Sequence, residues 1–422
     1  MGVQDALIPL FQFAAFYEND LEISNLPPMS LNGRVHSNSD IYLSTWTTLN
    51  LDSYVTSAGD IHWGVKAGSG MESNVPDGDV LIMDDNGNYQ NMENFDGTHL
   101  DANDPDWVDE SISRWGGMVE DNNHGVTELQ LPLVVDGQPT DLIDRGDGNP
   151  DSFEHDAGLK FVDGQALYLQ NDGTWVDVTA ALLGSGAMSY TTFRDGRESR
   201  DVSSLDLDLG VLATSGYYPS NGIIYASRPD NGGDLPALRL TNGQQLRGPL
   251  TVATDNPLYT LGDYNTVNKQ PAAFLADAVT VLSNNWDDSR STQMYQFRTP
   301  TPTQVNASYV SGNTETGAPG HDWNGGYNNL LRFLEDWTGV DFTWKGSASC
   351  LWYSRQADSP WAYNSYTYMP PNRIWAFDND LLDPNNLPPG TPMVNIVLRT
   401  SWKQSEISEY SSPYAQQITD GN

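Results

Sequence analysis

An acidic loop near residue 150 carries the residue types and spacing of a site for a hard cation. Asp147, Asn149 and Asp151 alternate in "DGNPDSFEHD", and Asp144 lies three residues before this series. Alternate side chains in a tight turn can direct their oxygens at one ion, as Ca²⁺ prefers, although Ser152 stands where an EF-hand requires glycine. We therefore predict Ca²⁺ as a cofactor bound by these two aspartates, the asparagine and Asp144. The alternative is a chance series in a chain with 56 acidic residues.

A second group of residues has the chemistry of a binding surface. The stretch "WAYNSYTYMPPNR" is flanked by proline and reads as a loop. Exposed aromatic rings on such a loop can stack on sugars or bind a protein partner. The predicted surface residues are Trp361, Tyr363, Tyr366 and Tyr368. Trp337 and Trp344 lie in apolar segments instead, and we expect them to be buried.

A basic cluster, Arg194, Arg197 and Arg200 in "TFRDGRESRD", is the only dense group of cations near acids. Solenoid lyases combine such a cation with a calcium cluster. Spacing of i, i+3 with flanking acids is more typical of a salt-bridged turn.

Several catalytic classes have no motif in this chain. The sequence contains neither a nucleophile elbow nor a phosphate-binding loop nor an HExxH pair. His36, in "GRVHSNSDIYL", is expected to be a solvent-facing or corner residue rather than a metal ligand. Cys350 is the only cysteine, which excludes an intramolecular disulfide, and its flanks predict a small buried thiol in a strand.

The net charge of −36 excludes further classes of partner. A field of this sign repels nucleic acid phosphates and anionic lipid surfaces. The charge is uneven, because residues 1–210 hold 37 acids and 8 bases while residues 211–422 hold 19 acids and 12 bases. No run of 18 apolar residues occurs, so we expect no membrane span.

Two neighbouring segments repeat each other at a shift of 20 residues. In "LNGRVHSNSDIYL" and "LDSYVTSAGDIHW", Val35 aligns with Val55 and Ile41 with Ile61. A weaker third copy is "SNVPDGDVLIM". Short strands at this period, separated by polar turns, indicate stacked coils of a parallel β-solenoid with these four residues inside. Antiparallel hairpins of a sandwich would produce a similar pattern.

Together these features predict a mostly β protein, a right-handed parallel β-solenoid (β-helix) interrupted by an acidic β-rich insertion. We expect first coils in residues 1–83, the acidic insertion in 84–210, the main solenoid with an aromatic C-terminal cap in 211–402, and a polar tail in 403–422. A short helix is predicted at Asp106–Arg114 and a longer one at Asn328–Gly339, where apolar residues fall on one face.

Five phrases of the chain resemble a family of bacterial proteins. They are "IPLFQFAAFYENDLEI", "MSLNGRVHSNSDIYL", "SSLDLDLGVLATSGYYPSNGIIYAS", "LTVATDNPLYTLGDYN" and "LLRFLEDWTG". These phrases are similar to prepilin-like proteins grouped with PilX-type pilus-associated surface proteins. The resemblance implies an exported or surface-anchored bacterial protein whose natural N-terminal helix precedes Gly2. It supplies no catalytic residues.

The first hypothesis for function is a non-enzymatic extracellular or cell-surface β-solenoid protein, pilus-associated or adhesive and stabilised by calcium. Its partner would be a pilus, a cell surface or a glycan. One alternative is a secreted carbohydrate-active enzyme, a lyase or hydrolase, on the same scaffold. Another is a structural subunit that self-assembles into an extracellular filament, which an exposed edge strand near Leu10–Phe16 would support.

Overall fold

The computed structural model describes residues 2–25, 27–134, 137–146, 148–230, 232–318, 324, 326–361 and 366–401. The described chain is mostly β, as predicted. Its strands are β1 (Gly2–Pro9), β2 (Ala15–Tyr17), β3 (Leu21–Asn25), β4 (Met29–Leu31), β5 (Val35–Ser37), β6 (Ile41–Leu51), β7 (Val55–Ser57), β8 (Ile61–Trp63), β9 (Asp77–Met83), β10 (Tyr89–Asn91), β11 (Val119–Glu120), β12 (Leu159–Val162), β13 (Gln165–Leu169), β14 (Trp175–Asp177), β15 (Met188–Asp195), β16 (Arg200–Asp208), β17 (Ile223–Ala226), β18 (Leu235–Thr241), β19 (Leu250–Thr254), β20 (Leu258–Leu261), β21 (Ala272–Ala276), β22 (Val279–Leu282), β23 (Thr303–Asn306), β24 (Ser308–Ser311), β25 (Leu331–Phe333), β26 (Asp341–Gly346), β27 (Ala348–Cys350), β28 (Asn372–Phe377) and β29 (Met393–Ser401). The α-helices are α1 (Trp107–Trp115), α2 (Phe153–Asp156), α3 (Thr179–Ser185) and α4 (Leu209–Thr214).

The 20-residue repeat corresponds to strands that stack in parallel and in register. Val35 in β5 pairs with Val55 in β7, and Ile41 in β6 pairs with Ile61 in β8. All four side chains are buried, as the repeat predicted. The third copy joins differently, because β9 pairs with the far half of β6.

The largest sheet has twelve strands in the order β11-β7-β5-β2-β27-β24-β21-β19-β17-β12-β13-β14. All neighbours from β11 to β12 are parallel. The chain builds this sheet in two runs. The first run proceeds outward from β2 to β11, and the second begins at β12 on the opposite side and returns to β27. The two runs meet where β27 pairs with β2.

Two further parallel sheets accompany the second run. Strands β16, β18, β20, β22 and β25 form one sheet, with β15 antiparallel at its edge, and β23, β26 and β28 form the other. In the first sheet of this pair, one row of apolar residues continues across five strands. The row is Leu205, Leu238, Leu258, Val279 and Leu331. Each of these side chains is buried, so the row faces the core.

The next position along each strand faces outward and carries polar residues. Arg239, Tyr259, Thr280 and Arg332 are neighbours in register on this outer face. Their outward position follows from the two-residue period of a strand, in which successive side chains point to opposite faces. This polar row forms the base on which the candidate site is built.

The prediction of a helix at Asn328–Gly339 is wrong. A short 3₁₀ turn covers Gly326–Asn329, and Leu331–Phe333 forms β25. Leu331 and Phe333 point inward and Arg332 outward, because parallel pairing with β22 imposes the two-residue period on a sequence that also fits a helix. The helix predicted at Asp106–Arg114 is confirmed as α1.

The aromatic C-terminal region occupies a different position from the predicted end cap. Trp337 and Trp344 are buried, as expected. However, β27 lies in the middle of the large sheet, between β24 and β2. The aromatic residues therefore pack near the junction of the two runs, because β2 of the first run pairs with β27, the last strand of the second.

The segment Leu10–Phe16, considered as an exposed edge, is interior. Leu10, Phe11 and Phe16 are buried, and β2 pairs on both sides. This removes the feature expected to support a filament subunit. In the described ranges, no helix has the length and apolar character that crossing a bilayer requires.

Candidate ligand-binding cleft

The β15–β16 hairpin forms one edge of the sheet that contains β18, β20, β22 and β25, and residues at its turn contact the outer face of this sheet. Its residue Asp195 accepts a hydrogen bond from the Tyr259 hydroxyl of β20 at 2.7 Å. Phe193 packs edge-on against the same tyrosine, with ring centroids 5.0 Å apart. Further along, Glu198 accepts a hydrogen bond from Arg332 of β25 at 2.8 Å. The tip of the hairpin therefore contacts both β20 and β25 and is held to them by buried polar contacts.

The turn of this hairpin is shaped by its own carboxylates. Asp195 accepts the backbone N–H groups of Arg197 and Glu198 at 2.8 and 3.0 Å. Glu198 also accepts the backbone N–H of Ser359, which attaches the turn to the loop before Tyr366. Burial raises the pKa of Glu198, against the opposing effect of the nearby Arg332 charge.

Arg197 is the buried member of the predicted basic cluster. Its Nε donates to the Ser359 carbonyl at 3.2 Å, and its closest carboxylate contact is Glu198 at 4.0 Å. Its two terminal nitrogens are buried without a hydrogen-bond partner. Burial lowers the pKa of Arg197 to about 10.

The other two arginines form the salt bridges typical of such a turn. Arg194 contacts Asp201 at 3.3 Å and Arg200 contacts Asp230 at 3.2 Å. The interpretation of "TFRDGRESRD" as a salt-bridged turn is therefore confirmed for these two positions, and the buried Arg197 adds a longer contact of 4.0 Å with Glu198.

A cleft of about 670 Å³ opens between the hairpin turn, the 291–298 segment and the aromatic loop. It is lined by Arg194, Gly196, Ser199, Ser291, Thr292, Arg298 and Tyr366. The lining combines two guanidinium groups, three hydroxyl side chains and one aromatic ring with its phenol. None of these described lining residues is acidic.

Arg298 connects two walls of the cleft. One terminal nitrogen donates to the carbonyls of Ser291 and Gln293 at 2.8 and 3.0 Å. The other donates to the carbonyls of Tyr366 and Thr367, each at 2.7 Å. Because four carbonyl contacts hold one planar group, the walls keep a defined separation.

The hairpin turn approaches the aromatic loop so closely that only glycine fits at position 196. A Cβ atom at Gly196 would lie 1.9 Å from the Tyr366 carbonyl oxygen. The turn of the hairpin and the aromatic loop are therefore in direct backbone contact. Tyr366 itself is 53% exposed.

The four aromatic residues that were predicted to form a surface differ in their exposure. Tyr368 is buried, and its hydroxyl donates to Asn329 Oδ1 at 2.8 Å, so the prediction of exposure is wrong for it. Trp361 is half-buried, with Nε1 donating to the Tyr368 hydroxyl at 2.6 Å. Tyr363 lies outside the described residues. Tyr366 is the exposed ring among the described three.

The described residues of the predicted calcium site form hydrogen bonds and an ion pair with other groups of the protein. Asp144 is paired with the Arg355 guanidinium, and Asp151 accepts the Val134 N–H with both oxygens at 3.0 and 2.9 Å. Asn149 Oδ1 accepts the Asp151 N–H at 3.0 Å. Asp147 lies outside the described residues, and within the described ranges no group of three or more His, Cys, Asp or Glu could hold a metal ion.

His36 differs from its predicted solvent-facing position. It is 1% exposed, and its ring nitrogens contact Thr56 Oγ1 at 2.8 Å and Asn38 Oδ1 at 3.0 Å. Burial lowers the pKa of this histidine to about 4. The cause is the packing of the N-terminal aromatic residues over the outer face of β5, with the Phe16 ring centroid 5.3 Å away. Cys350 is buried in β27 as predicted, and burial raises the pKa of its thiol to about 12.

Sequence reasoning missed Arg298, Ser291 and Thr292 as members of the cleft. No periodic or motif signal marks them, because their role depends on the distant Tyr366 loop. The sequence places Arg194 in the basic cluster and Tyr366 in the aromatic loop, but nothing in it indicates that they line the same cavity.

Comparison with known proteins gives no relative for this chain: no family model, curated protein or solved structure matches it.

Proposed function

We propose that this chain is a non-enzymatic, extracellular cell-surface protein of a bacterium that binds a glycan in the cleft beside Tyr366. The net charge of −36 and the resemblance to PilX-type pilus-associated proteins support the surface location. In this proposal the activity of the protein is adhesion through the bound glycan.

The scaffold in this proposal is a right-handed parallel β-solenoid. Support comes from the alternation of strands in the second run, where β17, β19, β21 and β24 enter the large sheet and β18, β20, β22 and β25 follow in the second one. Parallel strands of one sheet joined by such crossovers are right-handed in nearly all proteins. Winding of this kind presents loops on a rigid surface, as adhesive proteins require.

The observation that carries the proposal is the exposed Tyr366 at a polar cleft whose walls are joined through Arg298. A sugar has apolar C–H faces that stack on an aromatic ring and hydroxyls that need hydrogen-bond partners. Ser199 and Thr292 provide hydroxyl groups and Arg194 provides donors, whereas the Ser291 hydroxyl is buried between the Arg194 N–H and the Asp288 carbonyl. The clamp at Arg298 prepares this geometry before the ligand arrives, which reduces the ordering cost of binding.

The test is titration calorimetry of the purified chain against neutral and acidic oligosaccharides of six residues. We expect one class to bind and Tyr366→Ala to weaken that binding by at least tenfold. Phe95→Ala is the matched control, because Phe95 is an exposed aromatic residue outside the cleft. Unchanged affinity in Tyr366→Ala, or the absence of binding by every oligosaccharide, would refute the proposal.

A further inference from the structure

Resting on the proposed function, we propose that the glycan is anionic and that Arg194 binds its carboxylate or sulfate group. The composition of the cleft is the first reason. The chain has 56 acidic and 20 basic residues, yet the seven lining residues include two arginines and no acid. A neutral ligand gives no reason for this local reversal of charge.

The charge of Arg298 cannot be turned away from the cleft. Its side chain is buried and its terminal nitrogens are fixed on four backbone carbonyls. Its Nε is also buried and has no hydrogen-bond partner. Carbonyl groups carry no net charge, so the positive charge at this wall is not neutralised by its hydrogen bonds.

The buried charges behind the turn do not cancel this excess. Asp195 and Glu198 are matched by Arg197 and Arg332, two carboxylates against two guanidinium groups. This set is balanced within itself. The buried Glu335 also acts on Arg298, but its carboxyl group is hydrogen-bonded to Ser283, and burial raises its pKa to about 7. Arg298 and Arg194 are the two charged groups on the lining of the cleft itself.

Arg194 is the group that can change its partner. It holds Asp201 through one contact at 3.3 Å, with side chains 36% and 54% exposed. Exposed pairs of this kind contribute little to stability. A carboxylate or sulfate in the cleft can instead accept two parallel N–H groups from the guanidinium, which is the stronger geometry.

The experiment compares three probes that share a chain length of six sugars. Hexagalacturonate carries carboxylates, its methyl ester is neutral, and a carrageenan hexasaccharide carries sulfates. We expect an anionic probe to bind at least tenfold more tightly than the methyl ester. Arg194→Gln should remove that difference, and raising NaCl from 50 to 500 mM should weaken the anionic probe selectively. The two anionic probes distinguish carboxylate from sulfate.

Arg200→Gln is the matched control, because Arg200 belongs to the same hairpin, is paired with Asp230 and does not line the cleft. It should leave all affinities unchanged. Equal binding of the neutral and anionic probes, or an Arg194→Gln variant with unaltered preference, would overturn this inference and leave the proposed function intact. If none of the three probes binds, this inference fails, and the proposed function fails with it when no oligosaccharide of the calorimetric test binds either.

Discussion

Glu198 and Arg332, 134 residues apart in the chain, form a buried ion pair with an N–O distance of 2.8 Å. Both side chains are 3% exposed. The contact fastens the tip of the β15–β16 hairpin to β25. The hairpin forms one wall of the cleft, so this pair couples the stability of the scaffold to the shape of the binding site.

Breaking this pair should be strongly destabilising. Arg332→Met leaves Glu198 buried without its main cationic partner, and a loss of roughly 3–5 kcal/mol in the free energy of unfolding is expected. Urea denaturation measures it. The control is Asp201→Asn at the exposed pair with Arg194, which should cost about 0–1 kcal/mol. Similar small effects for both variants would show that the pair does not anchor the hairpin.

The buried Glu22 should make stability depend on pH. Burial raises the pKa of Glu22 to about 7, against a lowering effect of its hydrogen bond with Thr316. Between the unfolded pKa near 4.5 and the folded value, the folded state binds more protons than the unfolded state. Stability contributed by this group therefore falls as pH rises through that window and is constant above it.

Glu22→Gln removes this titration. Relative to wild type, the variant should gain roughly 3 kcal/mol in unfolding free energy between pH 4 and pH 8. Urea unfolding at both pH values measures the difference. Glu110→Gln, on the exposed surface of α1, is the control and should follow wild type at both values. A constant difference between Glu22→Gln and wild type across the window would contradict the assignment.

The buried rows of apolar residues on the paired strands should dominate stability. Ile61 is 0% exposed and pairs in register with Ile41. Ile61→Ala leaves a cavity in the core, and a loss of roughly 2–5 kcal/mol is expected in thermal or urea unfolding. His62, the next residue, points outward and stacks on Tyr42 at 5.0 Å. His62→Ala should cost less than about 1 kcal/mol, and the reverse ranking would place the wrong residue in the core.

The repeat could be read from the sequence because apolar positions recur at one spacing, so the pairing of Val35 with Val55 follows from matching rows. The order of the strands in the two runs could not be predicted, because no local feature of the sequence indicates that β27 pairs with β2. Leu330, Leu331 and Leu334 fit both a helical and a strand period, and tertiary pairing decided between them. The cleft was unpredictable for a similar reason, because the Arg298 contact with Tyr366 spans 68 residues.

A thermal melt with and without calcium tests the predicted calcium site. In the structure both oxygens of Asp151 accept the Val134 N–H, so Asp151→Asn should lower the melting temperature by the same amount in EDTA and in millimolar calcium. Asp156→Asn, at an exposed position after the loop, is the control and should melt as wild type does. An ion that binds only the folded state would raise the melting temperature by mass action. A calcium-dependent rise that Asp151→Asn abolishes would therefore establish the site predicted from the sequence and assign Asp151 to the ion instead of to the Val134 backbone.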